Sequence, residues 1–160
     1  NASKRDLWVL PLDGDRKPYV FFKSPLEDRD AFFSPNGKYV VYSSGESGKD
    51  EIYVQTFPAA ADKWPVSTSG GFSSRWSQNG RELIYVQTDG KIMSVSVKAD
   101  STFEAGVPQP LFDVTMARSP RGDDYVVSTD GQRLMFVSRG NDGSLPPINV
   151  ILNWSLGLSK

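Results

Sequence analysis

The chain has 160 residues, the size of one domain or of part of one, and it is 38% hydrophobic and 23% charged, as globular proteins are. Its formal net charge of −1 gives no electrostatic case for binding nucleic acid, and no apolar run approaches the ~20 residues of a membrane-spanning helix. The complete absence of His and Cys excludes a cysteine nucleophile, a Ser-His-Asp triad and the usual zinc sites, so we expect no metal and no cofactor.

Short β-strands are predicted along the whole chain, and no segment has a sustained helical period. We letter the strands of a sheet A to D from its inner to its outer edge. The chain then opens with a C and a D strand, continues with two full sets of four, and adds an A, a B and a C strand. The predicted strands are 6–12 and 17–23; 29–34, 38–44, 50–57 and 63–67; 72–77, 81–88, 91–98 and 107–113; 123–128, 132–138 and 147–154.

A hairpin phrase that occurs three times indicates the fold. Each copy has a hydrophobic residue, a serine, an Asn-Gly or Asp-Gly pair and an apolar run, and the copies are 33–42, 76–85 and 127–136. Asn-Gly and Asp-Gly favour the positive φ angles of type I′ turns, which we therefore predict in all three copies. The turn glycines lie 43 and 51 residues apart. Periods of this length with about four strands per period predict a β-propeller.

The predicted B strands are apolar at consecutive positions. Residues 40–42 and 83–85 present apolar side chains to both faces of their sheets. This pattern is expected of strands that are packed between neighbouring blades. The aromatic residue before each turn, Phe33 or Trp76, is likewise predicted to fill the core between blades.

Segments 33–38, 76–81 and 6–14 resemble the WD40-like PD40 repeat of TolB-type propellers. Segments 89–95 and 103–112, with the ending 148–154, resemble the last blades of the C-terminal propeller of bacterial, especially acidobacterial, serine/threonine kinase-like proteins. The resemblance implies a TolB-like fold and, as part of a membrane kinase, a periplasmic or extracytoplasmic sensing domain. The sequence contains no kinase motif and no G-x-S-x-G hydrolase motif.

The predicted strands make only about three blades, whereas closed propellers have about four to eight. We therefore predict a single partial propeller domain over residues 1–160, a segment of a larger bacterial protein, whose apolar end faces favour association. We expect two copies to form a six-bladed ring with two-fold symmetry. The D strand 17–23 would complete the partner's last blade, but 6–12 and 147–154 would then compete for one C position.

Candidate ligand-binding residues occur in or beside the loops that precede the A strands, because such loops line one mouth of a propeller channel. These candidates are Arg29, Asp30, Ser73, Arg75, Asp123 and Asp124. Carboxylates among them could act as acid and base at about 5–9 Å separation in a glycan hydrolase or lyase. Alternatively, they belong to a solvated loop with local ion pairs.

The function expected first is a non-catalytic binding or sensor module that engages a protein, a peptide or a small ligand at this mouth. A carboxylate-dependent glycan hydrolase or lyase and a purely structural oligomerisation unit are the alternatives. Converging carboxylates with a raised pKa among Asp30, Asp123 and Asp124 would favour the enzyme. A narrow channel filled by side chains would favour the structural unit. Neither nucleic-acid binding nor membrane insertion is expected of this segment.

Overall fold

The structure, a computed structural model, describes residues 5–113, 125–128 and 130–137. Strands connected by turns make up the fold, with one 3-10 turn at Gln78–Gly80. Among these residues no helix is long and apolar enough to cross a membrane. In chain order the strands are β1 Leu7–Val9, β2 Tyr19–Phe22, β3 Asp28–Phe33, β4 Tyr39–Ser44, β5 Glu51–Thr56, β6 Lys63–Pro65, β7 Phe72–Ser77, β8 Glu82–Val86, β9 Lys91–Ala99, β10 Phe103–Ala105, β11 Gln109–Asp113, β12 Tyr125–Val127 and β13 Leu134–Phe136.

The strands form four antiparallel sheets that stack in chain order. A leading sheet (β1–β2) is followed by a first blade with the strand order β3-β4-β5-β6. A second blade begins with β7-β8-β9 and has both β10 and β11 paired to β9, and a trailing sheet (β12–β13) follows. The strand order within the first blade is the predicted order A to D, and the architecture confirms the predicted all-β partial propeller.

The apolar cores lie between the sheets, because the central strands β4 and β8 are buried on both faces. One core joins the two blades, a second joins the leading sheet to the first blade, and a third joins the second blade to the trailing sheet. Alternate residues of a strand contribute to opposite cores: Val41 packs between the blades, whereas Val40 and Tyr42 pack against the leading sheet. The predicted packing on both faces is confirmed, and Trp76 packs against the core between the blades as predicted. The prediction that Phe33 fills such a core is wrong: its side chain is 55% exposed and contacts Phe57 at the edge of the first blade.

The hairpin phrase encodes a network of side-chain hydrogen bonds in its first and third copies, whereas the buried Ser77 hydroxyl of the middle copy makes no hydrogen bond within the described part of the chain. In the first copy the Ser34 hydroxyl donates to Asn36 Oδ1 at 2.8 Å and accepts the Tyr39 N–H at 3.0 Å, while Asn36 Oδ1 also accepts the Lys38 N–H at 3.1 Å. These bonds satisfy the backbone where the chain leaves one strand and enters the next. The repeated Ser-x-Asn/Asp-Gly motif therefore encodes a turn rather than a ligand site.

The third copy repeats this network with an aspartate. Ser128 donates to Asp130 Oδ1 and accepts the Arg133 N–H at 2.9 Å, and Asp130 Oδ1 accepts the Gln132 N–H at 2.9 Å. The Ser128 hydroxyl first, then the Gln132 N–H and Arg133, lower the pKa of Asp130 to about 2. The turn therefore favours the ionised carboxylate although the side chain is exposed.

We expect the Asp130 carboxyl to titrate with a midpoint near pH 2 in the folded chain. A pKa lowered on folding contributes stability above the ordinary aspartate pKa of about 4, and that contribution is lost as the pH falls through about 2. Side-chain carboxyl NMR shifts followed against pH measure the midpoint. In Ser128→Ala the midpoint should rise, and an unchanged midpoint would show that the hydroxyl is not the main cause.

The prediction of type I′ turns is wrong for the first and third copies, where Gly37 (φ 69°) and Gly131 (φ 68°) have positive φ but the residue before each glycine does not. The Ser and Asn/Asp hydrogen bonds hold that preceding residue in the ordinary region. In the middle copy Asn79 (φ 56°) and Gly80 (φ 88°) both have positive φ, inside a 3-10 turn.

The predicted outer strand 107–113 of the second blade is present as β11, but the sequence did not predict the short strand β10 that precedes it. β10 pairs with the last residues of β9, and β11 pairs with its first residues. The residues between them include Pro108, and β11 itself contains Pro110, at which the register shifts. Proline has no N–H to donate to a ladder, so a continuous outer strand cannot form across this segment.

The other described strands fall on the predicted segments, most of them one to three residues shorter at an end. The predicted C strand 147–154 lies outside the described residues, so the trailing sheet is described only by its A and B strands.

Candidate binding site at the channel mouth

The inner strands β3 and β7 lie side by side in neighbouring blades, and the Trp76 indole N–H of β7 donates to the Phe32 carbonyl of β3 at 3.2 Å. Each blade starts with its inner strand, so the loops that precede β3 and β7 lie at the same end of the stack. The loop between β4 and β5 is at this end too, because β4 runs antiparallel to β3. We call residues 24–30 and 45–51 the acidic mouth.

Backbone strain occurs at matching positions of the two inner strands. Asp30 (φ 55°) and Ser73 (φ 52°) each stand three residues before the aromatic residue of the hairpin phrase, and both occupy the left-handed region. The strand register shifts at the same places, between Arg29 and Phe32 and between Phe72 and Arg75. Bulges of this kind redirect side chains, and strained residues concentrate at functional sites.

Asp124 has the corresponding sequence position before Val127, three residues ahead of the end of its inner strand. Both Asp123 and Asp124 lie outside the described residues. The convergence of carboxylates that would favour the enzyme alternative therefore involves residues outside the described part of the chain.

Arg29 is the centre of an ion-pair cluster in the acidic mouth. Its guanidinium lies 3.1 Å from Glu27 Oε2 and 3.8 Å from Asp30 Oδ2, and it also donates to Asp50 Oδ2. Asp50 comes from the loop between β4 and β5, so the cluster ties two loops together. The structure thus unites the predicted residues Arg29 and Asp30, and it adds Asp50, whose participation no local sequence signal indicates.

Asp28 is a buried residue next to this cluster in the chain. It was not among the predicted site residues. Its side chain is 1% exposed, and its two oxygens accept the Ser24 N–H at 2.8 Å and the Ser44 hydroxyl at 2.6 Å. A buried carboxylate needs such donors because water cannot reach it. Asp28 anchors the loop that carries Arg29. Asp28 is followed by the charged residues Arg29 and Asp30, so no sequence signal distinguishes it from its neighbours.

Arg75 occupies the inner strand of the second blade and links three sheets. Its guanidinium carbon lies 3.9 Å from the centroid of the Phe32 ring and 5.7 Å from that of Tyr125. Its Nη1 donates to the Ser74 carbonyl at 2.9 Å. Tyr125 in turn donates to the Ile84 carbonyl at 2.8 Å. The predicted site residue Arg75 is thus a half-buried cation stacked between aromatic rings of the inner strands.

Acidic side chains outnumber basic ones at the mouth end of the blades. The acidic mouth carries six carboxylates and two cationic side chains (Glu27, Asp28, Asp30, Glu46, Asp50 and Glu51; Arg29 and Lys49). Lys63 of β6 adds a third cation, since its Nζ lies 2.6 Å from Glu46 Oε1. Burial raises the pKa of the Tyr42 hydroxyl above its usual range, with further contributions from Glu46 and Asp28. Burial likewise raises the pKa of Tyr85 to about 12, and Glu51 is the next contributor.

Glu51 joins the mouth to the second blade. It is buried, accepts the Gly70 N–H at 3.0 Å and the Ser67 hydroxyl, and lies 3.0 Å from Lys49 Nζ. Within residues 5–113, 125–128 and 130–137 no group of three or more Asp and Glu side chains is placed to hold a metal ion. The described carboxylates of the mouth are thus held by donors of the protein.

Three solved structures are similar to the chain along most of its length. TolB from Acinetobacter baumannii matches with a TM-score of 0.64 at 16% identity, over 86% of this chain and 33% of its own. An oligogalacturonate lyase from Vibrio parahaemolyticus has a TM-score of 0.55 at 16% identity, over 82% of this chain and 36% of its own. A putative 6-phosphogluconolactonase from Bacteroides uniformis has a TM-score of 0.55 at 17% identity, over 89% of this chain and 46% of its own.

At these identities the likeness shows the fold, a TolB-like β-propeller, and the chain spans a third to a half of the solved chains. No protein-family model and no curated protein matches the sequence.

Proposed function

We propose that this chain is a non-catalytic binding module of a β-propeller and that its acidic mouth binds a cationic, extended peptide segment. The observation that carries the proposal is the excess of carboxylates over cations in residues 24–30 and 45–51. Clefts lined by one sign of charge concentrate ligands of the opposite sign and steer their approach. A peptide is favoured because its Lys or Arg side chains can be shared among several carboxylates at once.

Arg29 supports this proposal by its position rather than by its charge. It already neutralises part of Glu27, Asp30 and Asp50, and it fixes their oxygens on one side of the mouth. A ligand cation would join this cluster on its solvent side, since the Arg29 and Asp50 side chains are about one-quarter exposed. Held oxygens lose little conformational entropy on binding, which favours affinity.

The enzyme alternative is suggested by two of the similar structures, whose names specify a lyase and a lactonase. In this chain the mouth carboxylates are engaged by Arg29, by serine hydroxyls or by backbone N–H groups. A catalytic acid or base must be free to contact the substrate, whereas these carboxylates are already bonded to donors of the protein. This chemistry supports binding over catalysis.

The finer assignment is also part of this proposal: a PD40-type propeller segment of a bacterial serine/threonine kinase-like protein, which acts as an extracytoplasmic sensor. The support is the resemblance of segments 89–95, 103–112 and 148–154 to the last blades of such propellers. In that setting a cationic peptide or protein segment would be the sensed ligand.

Binding can be tested with two defined peptides of equal length, one alternating Gly and Lys and one alternating Gly and Glu, titrated calorimetrically into the 160-residue chain. We expect the Lys peptide alone to bind, with an affinity that falls as salt rises. Asp30→Asn should weaken this binding by about two- to fivefold, the usual worth of one exposed charge pair. Asparagine keeps the left-handed backbone at position 30, so the fold is preserved.

Glu104→Gln is the matched control, because it removes one exposed carboxylate from β10, which does not belong to the acidic mouth. There Glu104 Oε2 lies 3.1 Å from Lys98 Nζ. It should leave the affinity for the Lys peptide unchanged. Equal binding of both peptides, or equal effects of the two variants, would contradict the proposal. Turnover of an oligogalacturonate by the chain would favour the lyase alternative instead.

A further inference from the structure

A polar cleft opens between the two complete blades, at the end of the stack opposite the acidic mouth. It lies at that end because the hairpin turns that line it follow the inner strands β3 and β7, whereas the mouth loops precede them. Residues 34–36 of the first blade form one wall, and residues 79–81 and 97–100 of the second blade form the other. The cleft has a volume of about 420 Å³, within the range of small-molecule sites.

Contacts between the two blades hold the walls of this cleft in place. Asn36 Nδ2 of the first hairpin donates to the Ala99 carbonyl of β9 at 2.6 Å. Pro35 packs closely on Gly80 of the middle hairpin, where an added Cβ would lie 3.2 Å from Pro35 Cδ. A ligand would therefore enter a cleft that is already formed, which lowers the entropic cost of binding.

Arg81 supplies a positive charge to the cleft. In the second blade Glu82 faces Ser96, so the next pair is Arg81 opposite Val97, whose N–H donates to the Arg81 carbonyl at 2.8 Å. Val97 is buried in the core between the blades, and the side chains of an opposed pair project from the same face of a sheet. The Arg81 side chain therefore projects toward the first blade, on the side where the cleft lies.

Asp100 supplies a negative charge from the exposed turn between β9 and β10. Within the described part of the chain, neither the Arg81 guanidinium nor the Asp100 carboxylate has a hydrogen-bond or ion-pair partner. The other charged groups near the cleft are engaged: Lys98 lies 3.1 Å from Glu104 Oε2, and Lys38 Nζ donates to the Asp100 carbonyl at 3.0 Å. The cleft thus offers one available guanidinium and one available carboxylate.

We propose that this cleft binds the zwitterion of a free α-amino acid, with Arg81 pairing with the α-carboxylate and Asp100 with the α-ammonium group. A guanidinium matches a carboxylate with two parallel hydrogen bonds, and a carboxylate accepts charge-assisted bonds from an ammonium group. A zwitterion satisfies both side chains without adding net charge to the cleft. The exposed Pro35 ring supplies apolar surface for the side chain of the ligand. The site is separate from the acidic mouth and does not depend on peptide binding there.

NMR titration of the isotope-labelled 160-residue chain tests this binding, with L-leucine as an apolar probe and L-glutamine as a polar one. We expect at least one of them to shift the amide resonances of residues 79–81 and 97–100 saturably and to leave those of the acidic mouth unchanged. The N-acetyl and the amide derivatives of that amino acid lack the ammonium and the carboxylate charge, and each should bind about tenfold more weakly. Absence of saturable shifts with both amino acids, or equal binding of the derivatives, overturns the proposal.

Two variants assign the roles of the charged side chains. Arg81→Gln should weaken amino-acid binding by about tenfold and abolish the preference over the amide derivative, because the carboxylate then has no guanidinium partner. Asp100→Asn should likewise abolish the preference over the N-acetyl derivative. Both residues are exposed, so the fold is preserved. Lys17→Gln, which removes an exposed cation between β1 and β2, is the control and should leave the affinity unchanged. Preferences that persist in both cleft variants overturn the assignment.

Discussion

Replacing Leu83 by alanine is expected to lower the free energy of unfolding by about 3 kcal/mol. The Leu83 side chain is fully buried in β8, in the core that joins the two complete blades. Alanine leaves a cavity there, and the rigid sheets on either side can close it only in part. Urea unfolding followed by tryptophan fluorescence should show a lower midpoint with an unchanged slope.

The control for this experiment is Leu26→Ala, the same substitution at a side chain that is 47% exposed in the loop before β3. This variant should lower the free energy of unfolding by less than about 1 kcal/mol, because much of the Leu26 side chain is in contact with water in the folded as well as in the unfolded state. If Leu83→Ala costs as little as Leu26→Ala, the contact between the blades contributes little to the free energy of unfolding.

Sequence reasoning predicted the architecture well because burial in this fold is periodic and local. In β4 and β8 consecutive apolar residues point to opposite cores, so an unbroken apolar run marks a strand between two sheets. The repeated turn phrase has a local cause as well: Ser34 and Asn36 bond to backbone atoms within five residues. Interactions of such short range can be read from the sequence.

The features that were missed depend on longer-range pairing or on backbone detail. The outer edge of the second blade has the additional strand β10, because β9 is long enough to pair with β10 and β11 at once. The positive φ angles of Asp30 and Ser73 arise where the inner strand shifts register against its neighbour. Neither Asp nor Ser requires a positive φ angle, so the identity of these two residues did not indicate it.

The sequence predicted only part of the candidate site, because the rest depends on pairing between distant residues. Arg29 and Asp30 are adjacent in sequence and stand out as a charge cluster, but Asp50, their partner across the mouth, is 21 residues from Arg29. Only the antiparallel pairing of β3 with β4 brings the two loops together. An isolated aspartate in a polar loop has no signal that distinguishes it from a solvated one.

Asp28→Ala is expected to lower the free energy of unfolding by about 3 kcal/mol, although the residue contributes no apolar contact to the core. Its carboxylate accepts the Ser24 N–H and the Ser44 hydroxyl in a site that is 1% exposed. Alanine would leave both donors without an acceptor where the carboxylate had been, and an unsatisfied buried donor costs its desolvation energy. Urea unfolding measures the loss.

Asp28→Asn separates the hydrogen-bonding role from the charge. The amide oxygen can still accept the Ser24 N–H, and the amide NH₂ can donate to the Ser44 oxygen, because a hydroxyl accepts as readily as it donates. This variant should therefore recover most of the stability and cost about 1 kcal/mol. If Asn and Ala cost the same, the negative charge of Asp28 beside Arg29 is what stabilises the loop. If Asn recovers the stability, the two donors fix the loop, and the mouth is positioned by a buried anchor that no ligand needs to touch.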